Sequence, residues 1–129
     1  MRNDPSALGR HIILELYDCP ADLLKAPAQA EKFLLEAAER MEATVVNAQF
    51  HAFSPYGVSG VVVIQESHLT IHTWPEHQYA AIDIFTCGTL KLEEGIAYLC
   101  KAFQSKRHWQ RELARGLNLD HSKTASSLL

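Results

Sequence analysis

Apolar side chains alternate along residues 11–17 (HIILELY), with Ile12, Leu14 and Leu16 on one side and His11, Glu15 and Tyr17 on the other. That period of two predicts a half-buried strand. Between residues 27 and 42 the period changes, and Phe33, Leu34, Ala37, Ala38 and Met41 recur at helical spacing behind Pro27, a residue suited to the first turn of a helix. From residue 43 the chain turns β-branched and aromatic (ATVVNAQFHAF, GVVVIQ, SHLTIHTW), broken at Ser54, Pro55, Tyr56 and Gly57. Three strands in quick succession follow from that pattern. After a turn at residues 75–78 (PEHQ), YAAIDIFTC places Ala81, Asp83, Phe85 and Cys87 on one face and Ile82, Ile84 and Thr86 on the other, as in a fifth strand. Leu92, Ile96, Leu99 and Phe103 repeat at helical spacing, and residues 107–113 (RHWQREL) suit a sixth, partly exposed strand.

The resulting order, β-α-β-β-β-β-α-β, predicts an α+β two-layer sandwich, an antiparallel sheet with helices on one face. Residues 1–115 are expected to form a single domain, and residues 116–129, polar and small, a flexible tail. A sheet covered on one side leaves its other face to water or to a partner. Here that face carries many apolar and aromatic members, which favours a homodimer.

Composition adds exclusions. The 129 residues are 47% hydrophobic and 21% charged, as in one ordinary globular domain. Twelve Lys and Arg against 15 Asp and Glu give a formal charge of −3, which argues against a nucleic-acid binder because neutralising phosphates calls for a basic excess. The longest apolar stretch, residues 60–64 (GVVVI), falls far short of the ~20 residues a membrane span requires. Cys19, Cys87 and Cys100 make an odd count without a CxxC pair, and MRNDPSALGRH has no apolar signal core. A reducing, cytoplasmic setting is the expectation.

Chemistry concentrates in residues 66–87, ESHLTIHTWPEHQYAAIDIFTC, which hold three of the seven histidines, a serine, carboxylates and a cysteine. Histidine suits proton transfer near neutrality, and cysteine serves as nucleophile or acid. A metal site is not expected. Thr70, Ile71, Thr73 and Pro75 favour a strand, in which His68 and His72 stand roughly 13 Å apart, too far to share one ion. A nucleophilic pair of Cys87 with His72 stays open on spacing, though no local nucleophile signature accompanies it.

The segments GRHIILELYDC and FHAFSPYGVSGVVVIQESHLTIHTWPEHQYAAIDIFTCG resemble the small prokaryotic type of S-adenosylmethionine decarboxylase proenzyme, a pyruvoyl-dependent family. The likeness runs from Gly9 to Gly88, and its core, ESHLTIHTWPE followed by DIFTCG, is long and specific. After Gly88 the family's acidic continuation is replaced by TLKLEEG. The resemblance implies self-cleavage at Glu66-Ser67 into a β chain of residues 1–66 and an α chain of residues 67–129, with Ser67 becoming the pyruvoyl cofactor. By the same resemblance His72 is the processing base, Ser59 a hydroxyl that assists, and Cys87 the proton donor in decarboxylation. Phe53 would stack on adenine and Glu76 bind the ribose. Gly57 and Gly60 would give a strained scissile turn its freedom.

The function implied is conversion of S-adenosylmethionine to S-adenosylmethioninamine and CO₂ for spermidine biosynthesis, by a homodimer of processed units. Two alternatives stand beside it. One is a pyruvoyl-dependent arginine or ornithine decarboxylase, since that machinery asks only for an α-amino acid head. The other is a paralogue that binds without processing, against which Glu66, Ser67, His72 and Cys87 argue together. Trp74, Tyr56 and Glu15 are further binding candidates, while His11, His51, His68 and His77 have no assigned role.

Overall fold

A computed structural model of the chain describes residues 7–117. Six strands, β1 (Gly9–Tyr17), β2 (Val45–Ala52), β3 (Val58–Ile64), β4 (Ser67–Trp74), β5 (Tyr79–Thr86) and β6 (Arg107–Arg115), form one sheet in the order β2-β3-β4-β5-β1-β6. Every neighbouring pair is antiparallel. Helices α1 (Pro27–Arg40) and α2 (Leu92–Ala102) complete the expected order, to which short 3₁₀ turns at Ala21–Leu24 and Pro75–His77 are added. Helix α1 stops before the expected residue 42 because Met41 closes its last turn and Glu42 takes a left-handed φ of 61°.

The alternation read from the sequence decides which face the helices cover. Ile12, Leu14 and Leu16 of β1 are fully buried with Leu69 and Ile71 of β4, packed in one cluster with Leu34 of α1 and Leu99 of α2. Burial of each such side chain is worth about 1.5–3 kcal/mol, so a one-residue slip in any strand would forfeit several of these contacts at once. The helices are fastened to each other at the rim, where the Tyr98 hydroxyl donates to Glu36 and the Arg40 guanidinium lies 4.1 Å above the Tyr98 ring. Burial, helped by the Glu36 carboxylate, pushes the Tyr98 hydroxyl up to about 12.

On the opposite face the register sets residues in rows across the strands. One row reads His51, Ser59, His72, Ala81, Glu15, Trp109 from β2 to β6. The next reads Gln49, Val61, Thr70, Asp83, Ile13, Arg111, and the third Asn47, Val63, His68, Phe85, His11, Leu113. Successive rows lie two residues, about 7 Å, apart along each strand. No helix among the described residues is long and apolar enough to cross a membrane. Most of the expected tail, residues 118–129, lies outside the described residues, as do residues 1–6.

Candidate active site

Between β3 and β4 only Gln65 and Glu66 intervene. So short a connection forces an unusual backbone, and Glu66 takes a φ of 64°, one of five positive values at non-glycine residues among those described. A left-handed conformation costs a side-chain-bearing residue roughly 1–2 kcal/mol. Ser67 opens β4 opposite Thr86, and its Oγ accepts a hydrogen bond of 3.3 Å from the backbone N–H of Cys87. Cys87 follows β5 directly and is exposed. Glu66, Ser67 and Cys87 therefore meet at one end of the sheet.

A second cluster stands toward the opposite end. Ser59 and His72 are cross-strand partners on the uncovered face, with Ser59 Oγ and His72 Nδ1 sharing a hydrogen bond of 2.7 Å. Phe53 follows β2, is 52% exposed and sets its ring edge-on to His51 at 4.6 Å. Glu76 is exposed in the 3₁₀ turn after β4, beyond Trp74, whose ring lies 6.5 Å from His72 and stacks at 5.2 Å on Tyr79. Tyr79 donates a 2.6 Å hydrogen bond to Glu15. Burial first and the Glu15 carboxylate second hold that phenol well above its ordinary range.

The two clusters are separate within one chain. Ser67 and His72 are five positions apart on a strand, about 16 Å, and their side chains fall on opposite faces. Cys87 is six positions beyond Ala81, the partner of His72, or about 20 Å. A Cys87–His72 pair, open on spacing, is thus excluded within a single chain. The glycines expected at the scissile turn are also elsewhere. Gly57, with a φ of 103°, enters β3 beside Thr73, and a Cβ on Gly60 would run into the Phe50 ring at 2.0 Å. Both serve close packing at the far end, and the left-handed residue at the cleavage turn is Glu66 itself.

Sequence reading left His11 without a role, whereas its Nε2 lies 2.9 Å from Asp83 Oδ1, and Thr70 reaches the other carboxylate oxygen at 3.5 Å. Alternation gives His11 and Asp83 each a face of its own strand, but only the register brings them and Thr70 together. Thr73 was likewise read as no more than a β-branched strand residue, and no signal in a single sequence marks its hydroxyl.

This architecture agrees with that of a known protein family. The family model described as S-adenosylmethionine decarboxylase matches residues 10–116, well past the Gly88 limit of the resemblance read from motifs, and so takes in α2 and β6. The S-adenosylmethionine decarboxylase proenzyme of Thermosipho melanesiensis is 54% identical over 111 residues, 85% of this chain and 85% of that protein. The proenzyme of the same name from Thermodesulfovibrio yellowstonii is 47% identical over 112 residues, 86% of this chain and 83% of that one. Among solved structures, the adenosylmethionine decarboxylase from Aquifex aeolicus VF5 matches with a TM-score of 0.80 at 30% identity, covering 92% of this chain and 99% of its own. With both helices, all of the sheet but Gly9 and every candidate site residue inside the matched span, the chain belongs to the S-adenosylmethionine decarboxylase family, whose proenzymes are pyruvoyl-dependent.

Proposed function

We propose that the chain cuts itself at Glu66-Ser67 and, as a homodimer, decarboxylates S-adenosylmethionine in sites built from both copies. The observation that carries this reading is the division of the motif residues into two clusters that complement each other. A two-fold axis laid across the strands along the Thr70–Asp83 row keeps β4 over β4 and exchanges the two ends of the sheet. His72 and Ser59 of one copy then lie over the end of the partner's sheet where the Ser67 backbone opens β4 beside Cys87, across the roughly 10 Å that separates packed sheets. Such a contact also covers Val63, Trp74 and Trp109, large apolar side chains left exposed in the single chain.

The residues at the cleavage turn fit the cofactor the family implies. Ser67 carries the hydroxyl that would leave with Glu66 and the Cα that would become the carbonyl carbon, next to a left-handed Glu66 and under the Cys87 amide. Ser67 Oγ attacks the Glu66 carbonyl carbon, the peptide C–N bond breaks, and the nitrogen takes up a proton, leaving an ester. His72 of the facing copy removes the Ser67 α-proton. The Cβ–Oγ bond then breaks and Glu66 leaves as a carboxylate. The dehydroalanine left at residue 67 tautomerises to an imine and takes up water with loss of ammonia. For His72 to act as a base, Nδ1 must hold the hydrogen and donate it to Ser59, so that Nε2 presents its lone pair to the open face. The 2.7 Å contact with Ser59 accommodates that arrangement, the serine hydroxyl serving as acceptor.

The pyruvoyl group supplies an electron sink for the substrate α-carbon. Around it, Phe53 offers a face for adenine and for the positive sulfonium, Glu76 an acceptor for ribose hydroxyls, and Cys87 a proton for the carbon that has lost CO₂. Phe53 and Ser67 of the same chain stand at opposite ends of the sheet, farther apart than S-adenosylmethionine reaches, which again calls for two copies. The product suits spermidine biosynthesis, and three unpaired thiols suit a reducing cytoplasm.

Intact mass tests the reading. The purified protein should give chains of residues 1–66 and 67–129, the second beginning with a pyruvoyl group, and release CO₂ from S-adenosylmethionine but not from arginine or ornithine. Ser67→Ala should remain one chain. A single stable wild-type chain would favour the non-processing paralogue, and CO₂ from a basic amino acid the other decarboxylase.

A further inference from the structure

Among the described residues only Thr73 and Thr86 are buried polar side chains. The Thr86 hydroxyl accepts a local bond from the Gly88 amide, but Thr73, 5% exposed, joins three separate segments. Its Oγ1 accepts from the Val58 amide at 2.9 Å and donates to the Leu24 carbonyl at 2.8 Å. Val58 is the residue before Ser59, and Thr73 the residue after His72. A side chain therefore makes a rung between β3 and β4 next to the Ser59–His72 pair, and anchors it to the 3₁₀ turn at Ala21–Leu24. Gly57 completes the seat, since a Cβ there would stand 3.0 Å from the Thr73 carbonyl oxygen.

We infer that Thr73 is a positioning residue for self-cleavage, its hydroxyl holding Ser59 Oγ within hydrogen-bond reach of His72 by tying the start of β3 to Leu24. The inference rests on the roles proposed above for Ser59 and His72. Removing the hydroxyl leaves a buried N–H and a buried C=O without their partner, and both regain hydrogen bonds only if the strand end moves toward water. A hydrogen bond of 2.7 Å survives little displacement. Misplacement of catalytic groups by about 1 Å lowers rates by about 100-fold, so loosening this rung should slow cleavage by about 10-fold to 100-fold.

The test follows the appearance of the two chains in full-length Thr73→Val, Thr73→Ser, Gly57→Ala, Leu34→Ala and His72→Ala, between pH 5 and 8 and below the unfolding temperature of each. Thr73→Val should cleave about 10-fold to 100-fold more slowly. Thr73→Ser, which keeps the hydroxyl, should cleave like the wild type. Leu34→Ala opens a core cavity away from the rung and should also leave the rate unchanged while folded. Gly57→Ala presses on Thr73 from the other side and should slow cleavage in the same way, which keeps the test decisive if Thr73→Val fails to fold. Wild-type rates in both Thr73→Val and Gly57→Ala, a slow Thr73→Ser, or equal slowing in Leu34→Ala would overturn the inference. Normal cleavage in His72→Ala would instead remove the proposed base, a failure that can be told apart from that of Thr73.

Discussion

Ser67 and His72 share one strand yet stand about 16 Å apart with their side chains on opposite faces. Five residues is an odd number of half-periods, so no bend of β4 short of breaking it brings the imidazole to its own serine. The proposed composite site answers that separation with a second copy, whose contact would bury the uncovered face of the sheet.

Val63→Glu tests that face. Val63 lies between Asn47 and His68 on the uncovered side and is 38% exposed in the single chain. A carboxylate here is solvated in a monomer but desolvated between two sheets, at a cost of several kcal/mol. The variant should be folded by circular dichroism, monomeric by light scattering at micromolar concentration, and uncut. Complete cleavage in a demonstrated monomer would contradict the composite site.

Cys87→Ser should separate maturation from turnover. The backbone amide that bonds to Ser67 Oγ is retained, so cleavage should still occur. A hydroxyl is a far weaker acid than a thiol, and loss of a positioned general acid should lower CO₂ release by about 10²–10⁴-fold. Protonation at the wrong carbon would convert the pyruvoyl group to alanine, visible in the α-chain mass during turnover. Wild-type turnover with an unaltered α chain would assign the acid elsewhere.

Stability should fall on the alkaline side through Cys19. Burial first, then the neighbouring Asp18 carboxylate, raises its thiol from 9.0 to about 11. The folded chain holds this proton where the unfolded chain releases it. The contribution is therefore whole below pH 9 and lost as pH climbs toward about 11, at a slope approaching about 1.4 kcal/mol per pH unit. Between pH 8 and 10.5, denaturant unfolding of Cys19→Ala should lose less stability than the wild type. Parallel curves would show that another group, such as Tyr98, governs this limb.

The fold was legible because alternation is strict where one face is buried: β1, β4 and β5 each spell their inward residues at every second position. The helices showed as plainly, since Leu34, Ala37 and Ala38 or Leu92, Ile96 and Leu99 repeat with the turn. Motifs name the candidate residues but not their division between the two ends of the sheet, because the pairing of β3, β4 and β5 that places Ser59 by His72 and Ser67 by Cys87 is set by register. The strained residue was misplaced for a related reason. Glycine advertises left-handed backbone, but the turn at Gln65-Glu66 is tight enough to impose it on a glutamate. His11–Asp83 and Thr73–Leu24 depend on register and tertiary contact, which local pattern does not encode.

Co-expression of His72→Ala and Ser67→Ala chains, distinguished by a tag, tests the composite site most directly. Neither variant should cleave alone. In a mixed dimer one site joins the Ser67 of the His72→Ala chain to the intact His72 of the other copy, while the second site lacks both. The His72→Ala chain should therefore be cut and the Ser67→Ala chain remain whole. Failure of the mixture to cleave, with mixed dimers demonstrated, would mean that Ser67 and His72 act within one chain and would contradict a site shared between copies.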